Sequence, residues 1–359
     1  MQKRKRLSNS KVKEIEETLR KQEAKREAFI ERYGHVRPPQ AARIDGRIYT
    51  VLEGGIYRQT QEGPYNFVNS LHDHTLHFFG IAYLEEQEKK PLNQRNPAIQ
   101  WMHSYIDYKE ELEQQGKKAE IEGQVGVAAA WIRFAYDLFT IRDNSKLEKR
   151  LKKRLLDNHS FQGARYELLV AAVCITAGFD IDFENETDNS SRHPEFTATD
   201  RYSPAKIAVE AKSRHRRGVQ GFAKGAYVTP GDKVDIRDIV LDAYQKSDAF
   251  PLYVFVDVNL PPVKDIHIWQ KWMDEINSTM SDLAAEGYAD PCPSNIVLFT
   301  NDPSHYVGTE RIGNDSDRLW IKYFEAKTPR IRHPETDVCG RFMKAYEQRR
   351  SPPENFTRE

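Results

Sequence analysis

From Phe161 to Val258 the apolar residues switch repeatedly between helical and strand spacing, and this restricts the fold more than any other feature of the chain. Phe161 to Ala177 (FQGARYELLVAAVCITA) reads as a helix that becomes apolar on all sides and stops at Gly178. Phe179 to Phe183 follows as a short strand, Pro194 to Thr199 as a second and Lys206 to Lys212 as a third, with a turn at Ser203-Pro204. Val234 to Ser247 returns to helical spacing, and Phe250 to Val258 (FPLYVFVDV) is a strongly apolar strand. The order is αβββαβ, extended by a helix from about Ile266 to Ala285 and a strand from Asn295 to Thr300. It predicts a mixed sheet flanked by helices, an α/β (α+β) architecture.

The N-terminal half has a different texture. Ser10 to Tyr33 is a charged helical stretch with sparse apolar positions (Val12, Ile15, Leu19), which predicts a solvated arm over residues 1–35. After Pro38-Pro39, the Asp45-Gly46 turn signal and the strand-like Arg47 to Leu52 indicate a hairpin. Helical spacing then places Leu71, Phe78, Phe79, Ile81 and Leu84 on an apolar face, and a further helix passes through Trp101, Met102, Tyr105 and Ile106. Val125 to Ile141 is apolar on nearly every side, as in a helix buried among others. Residues 36–145 therefore read as a mostly helical accessory domain. Lys146 to Leu155 is a basic amphipathic helix with Leu147, Leu151 and Leu155 on one side. It leads into the unit spanning 146–330, and the Pro-containing 331–359 reads as a peripheral helix and loose tail.

The third strand carries the chemistry. In KIAVEAK, Ile207, Val209 and Ala211 point to one face and Ala208, Glu210 and Lys212 to the other, because strand side chains alternate. The first set can bury against a helix, whereas the second puts a carboxylate beside an ammonium. Glu195, on the preceding strand, can bring a second carboxylate to the same place. Two neighbouring carboxylates repel, and a divalent cation removes that cost. Mg²⁺ is typically held by one or two carboxylates together with water and phosphate. A lysine alongside suits phosphodiester hydrolysis, since it can orient the attacking water and offset charge at phosphorus. The tripeptide pattern E-x-K recurs at Glu23-Lys25, Glu88-Lys90 and Glu325-Lys327. Only at Glu210-Lys212 does an acidic strand precede it and a helix–strand unit follow it.

In these residues the chain resembles the PD-(D/E)xK nuclease superfamily, which has the restriction-endonuclease-like fold. Pro194-Glu195 matches the first acidic motif and Glu210-Ala211-Lys212 the second, and the αβββαβ order is that of the family core. The resemblance covers about residues 160 to 260 and implies a Mg²⁺- or Mn²⁺-dependent DNA endonuclease. It implies metal ligation by Glu195 and Glu210, with Lys212 orienting water and stabilising charge. It also implies an auxiliary metal ligand at Glu167, on the preceding helix, and a polar residue approaching from the following helix, Gln245. The family's first acid is more often aspartate; Glu195 departs from that, and Asp200, just beyond the strand, is the alternative.

The substrate side reads from charge. The chain carries 54 basic and 54 acidic residues, so local rather than net charge matters. From Ala211 to Gly231 there are Lys212, Arg214, Arg216, Arg217 and Lys224 with no acidic residue, among glycines that make the stretch a flexible loop. A basic loop beside a metal site suits a polyanion, and Arg214, Arg216, Arg217 and Lys224 are the expected DNA contacts. His74 and His77 share a helical face, but two nitrogen ligands do not make a zinc site, so a surface or packing role is expected. The three cysteines form no C-x-x-C pair, and no apolar run approaches the roughly 18 residues of a membrane span. A cytoplasmic protein is expected, with DNA as partner, a homodimer as the family's way of cutting two strands, and a partner protein engaging the N-terminal helical region. The rival reading is a nuclease-fold module without turnover that binds nucleic acid or assembles with partners.

Overall fold

The computed structural model describes residues 9–52, 55–58, 66–116, 126–183, 193–216, 219–220, 233–244, 246, 250–263, 265–286, 295–308, 320–325 and 338–356. Among them the fold is mixed α/β, with ten α-helices and two sheets. The first helix, α1 (Asn9–Tyr33), is exposed along most of its length, as its sparse apolar residues require. A three-stranded antiparallel sheet follows, made of β1 (Gln40–Ile44), β2 (Arg47–Leu52) and β3 (Gly55–Arg58). Asp45 and Gly46 both have positive φ (50° and 77°), the backbone that a two-residue hairpin with right-handed strand twist needs.

Helices α2 (Phe67–Phe79), α3 (Ile81–Glu88), α4 (Pro97–Gln114), α5 (Gly126–Asn144) and α6 (Lys149–Leu156) come next. Asn66 and Asn96 cap α2 and α4 by accepting backbone N–H bonds, and Pro97 starts α4 where no N–H is needed. One expectation fails here. Gly80, at φ 80°, interrupts the periodic stretch, α3 restarts in a new phase, and Ile81 is 77% exposed instead of lying on the apolar face. Leu151 and Leu155 of α6 are buried as their spacing requires.

The main sheet follows α7 (Phe161–Thr176), which ends at Gly178 with φ 94°. Its strands lie in spatial order β4 (Phe179–Phe183), β5 (Phe196–Asp200), β6 (Lys206–Ser213), β7 (Leu252–Asp257), β8 (Asn295–Asn301) and β9 (Trp320–Glu325). The β4–β5–β6 meander is antiparallel, β6, β7 and β8 are mutually parallel, and β9 closes the edge antiparallel. The crossovers run through α8 (Arg237–Tyr244) and α9 (Ile266–Ala285). Both α8 and β5 are shorter than the sequence suggests, so Glu195 sits one residue ahead of its strand.

Helices cover both faces. On one, Ile207, Val209, Tyr253, Phe255 and Leu298 pack in a cluster with residues of α4, α5, α6 and α7. On the other, Ala208, Val254, Val256 and Phe299 pack with Val240 and Ala243 of α8 and with Trp272 and Ile276 of α9. β7 is buried at every position, which explains its unbroken apolar sequence. The hydrophobic cluster on the α7 side runs from α4 and α5 into the sheet without a break.

The C-terminal segment departs most from expectation. Helix α10 (Val338–Gln348) is not peripheral: Phe342 is fully buried and packs against Phe179, Tyr253 and Phe255. Beyond it, Arg349 is 1% exposed and Pro352 and Pro353 are buried. A short polar helix flanked by prolines looks loose because its partners are far away in sequence. Among the described residues no helix is long and apolar enough to cross a membrane.

Candidate active site on the third strand of the sheet

Strand alternation in β6 delivers the arrangement that its sequence implies. Ile207 and Val209 enter the core under α7, and Glu210 and Lys212 face the side that α8 covers. Glu210 is 0% exposed. Burying an ionised carboxylate is costly unless cations accompany it, and here two do. Lys212 Nζ lies 3.1 Å and Lys246 Nζ 3.3 Å from Glu210 Oε1. Oε2 makes no hydrogen bond among the described residues.

Helix α8 supplies the rest of the charge. Lys212 Nζ is 2.6 Å from Asp242 Oδ2, and Lys246, just past the helix, donates a 2.9 Å hydrogen bond to the His193 carbonyl. Burial alone would lower the Lys212 pKa, but the Glu210 and Asp242 carboxylates outweigh it and hold the ammonium above its ordinary value. Asp242, Lys212, Glu210 and Lys246 thus form a chain of alternating sign. Asp242 and Lys246 are four residues apart and both face β6, but they read as ordinary solvent-facing charges in the sequence. Helical spacing opposite an E-x-K strand is the signal that could have found them.

Glu195 lies at the entry to β5. Its backbone N–H donates to the Val209 carbonyl at 3.1 Å, so it lies against β6 immediately beside Glu210. The alternative acid, Asp200, is excluded. It sits at the opposite end of β5, buried, with Arg341 Nη1 and Nη2 of α10 at 3.1 and 2.9 Å and Ser203 at 2.9 Å. That pairing anchors α10.

Glu167 is buried on α7 with Arg154 Nη1 of α6 2.6 Å from its Oε2, so this carboxylate already has a fixed cation. Arg154, with its side chain 28% exposed, thereby bridges α6 and α7. His215 approaches the first turn of α7, where a side chain at Gly163 would come within 3.4 Å of its Nε2. Partial burial of its ring against α7, then the positive charges of His159, Arg154 and Lys212, lower the His215 pKa.

The basic loop is only partly what its composition suggests. Arg214 extends β6, donating its N–H to the Asp257 carbonyl and accepting from Asn259 Nδ2, both at 2.9 Å. Arg216 is 5% exposed, with its N–H on Gln162 Oε1 of α7, so it is not part of a solvent-facing basic loop. The chain folds back over the α7 N-terminus and takes that arginine inside. Arg217, Lys224 and Gln245 lie outside the described residues. In the His72–His77 stretch His72 stands edge-on to Trp131 and the buried His74 to Phe139, whereas His77 is exposed. Among the described residues no three His, Cys, Asp or Glu side chains gather as a metal-holding group.

No protein-family model matches the chain, and no curated protein or solved structure matches it significantly.

Proposed function

We propose that the chain is a metal-dependent phosphodiesterase acting on DNA, built on a PD-(D/E)xK, restriction-endonuclease-like core formed by α7, β4, β5, β6, α8 and β7. The observation that carries this reading is Glu210: a fully buried carboxylate with a lysine two residues on along the same strand face and an acidic residue at the adjoining strand entry. A structural ion pair between Glu210 and Lys212 would not require the acidic residue at the adjoining strand entry.

The residues fit a hard divalent cation. Glu210 Oε2 is a buried acceptor without a hydrogen bond among the described residues, which is the kind of oxygen that Mg²⁺ or Mn²⁺ takes. Glu210 and Glu195 would hold the ion, whereas Glu167, engaged by Arg154, is assigned to positioning. When bound, the ion would polarise the phosphate and acidify the attacking water. Lys212 would supply positive charge beside the ion, with its Nζ held 3.1 Å from Glu210 Oε1 and 2.6 Å from Asp242 Oδ2. Held by two carboxylates, it is already oriented to offset charge developing at phosphorus.

A second reading has its own support: Lys212 and Lys246 together balance Glu210 and Asp242, a state that is stable without turnover. Cleavage of plasmid, linear and single-stranded DNA and of RNA with Mg²⁺ or Mn²⁺ separates the two. The nuclease reading expects cleavage by the natural protein and its loss in Lys212→Ala, with folding and DNA binding retained. Equal cleavage by that variant sinks the assignment, and intact substrate with retained DNA binding favours the inactive module.

A further inference from the structure

Lys246 has an arrangement that catalysis does not explain. Its ammonium is 3.3 Å from Glu210 Oε1 and donates to the His193 carbonyl, two residues before Glu195. It therefore ties β6 to the segment that carries the second acid. Lys212 approaches the same Glu210 oxygen but also has the Asp242 carboxylate at 2.6 Å.

We infer that Lys246 is the resident counter-ion of Glu210, which an incoming divalent cation displaces. This rests on the reading above that Glu210 takes the cation. A divalent ion and an ammonium on one carboxylate oxygen repel each other in a site sheltered from water. One of the two lysines has to yield. Lys212 keeps a full anionic partner when it lets go of Glu210, and a charge-assisted pair with a carboxylate outweighs a bond to a neutral carbonyl. Among the described residues Lys246 is left with only the His193 carbonyl, so it is the weaker-held competitor.

The test is direct titration of the full chain with Mn²⁺ and Mg²⁺ by calorimetry, comparing the natural protein with Lys246→Met, Lys246→Gln and Lys246→Arg. Glutamine keeps an N–H donor for His193 without the charge, and arginine keeps the charge. Loss of the competing charge is expected to tighten cation binding at least about tenfold in both Met and Gln variants, and not in Arg. Thermal unfolding in the absence of metal checks that each variant is folded, and the Gln variant stands in if Met is not. Natural protein that binds the ion, with neutral variants that bind it equally or more weakly, overturns the inference and leaves the functional reading in place. Absence of binding in the natural protein and in every neutral variant overturns the functional reading itself.

Discussion

Arg349→Met probes the buried charge network that holds the C-terminal helix to the rest of the fold. Arg349 lies 1% exposed and grips Asp137 of α5 through two bonds, Nε to Oδ1 at 2.8 Å and Nη2 to Oδ2 at 2.6 Å. Its Nη1 is 3.8 Å from Asp302, just past β8, which also pairs with Arg133 of α5 at 3.1 Å and Arg165 of α7 at 3.2 Å. Burial alone would push the Asp302 carboxyl up, but Arg133, Arg165 and Arg349 outweigh it and hold it well below the usual carboxylate range. Asp302 therefore keeps two arginines when Arg349 is removed. Asp137, with its side chain 3% exposed, loses its bidentate partner. Leaving one member of a buried pair uncompensated costs about 3–5 kcal/mol. Against a total stability of about 5–15 kcal/mol, that is a large fraction. Urea unfolding followed by tryptophan fluorescence and far-UV circular dichroism should show a loss of that size. The double variant Arg349→Met/Asp137→Leu should recover most of it, because an apolar pair of similar volume costs nothing to bury. A loss under about 1 kcal/mol, or no recovery in the double variant, refutes the argument that Asp137 depends on Arg349.

Glu210→Gln should abolish Mg²⁺-dependent cleavage while costing at most about 2 kcal/mol of stability, since Lys212 keeps Asp242 and Lys246 keeps His193, and the buried carboxylate is no longer desolvated. Retained cleavage, or unfolding, would each contradict part of that account. Asp257, buried at the end of β7 with Ser213 Oγ at 3.1 Å, has its pKa raised by burial from 3.8 to about 6, against the opposing charge of Arg165. The folded chain therefore binds more protons than the unfolded one between about pH 4 and 6, and stability falls as pH rises through that window, by up to about 3 kcal/mol. In Asp257→Asn this contribution disappears, so the stability difference between natural and variant protein should shift in the variant's favour from pH 4 to pH 7. A difference that is constant with pH would show that Asp257 ionises normally.

What the sequence determined by itself is the part governed by short-range periodicity. The exposed α1, the buried α5, the bounds of α9 and the αβββαβ order all follow from spacing over a few residues, because backbone geometry repeats on that scale. The facing of Glu210 and Lys212 away from the α7 core belongs to the same class, since side chains of one strand must alternate. Tertiary structure alone decided which charges meet. Asp242 and Lys246 enter the site because the α8 crossover packs on that face of β6; Asp200 is paired at the other end of β5 because α10 brings Arg341 to it, and Glu167 is paired on α7 because α6 brings Arg154. The same long-range contacts turn a polar, proline-flanked tail into a core helix and fold Arg216 inward. Periodicity records which side of an element is apolar, whereas the partner of a buried charge depends on chain segments far away in sequence, and no local pattern encodes it.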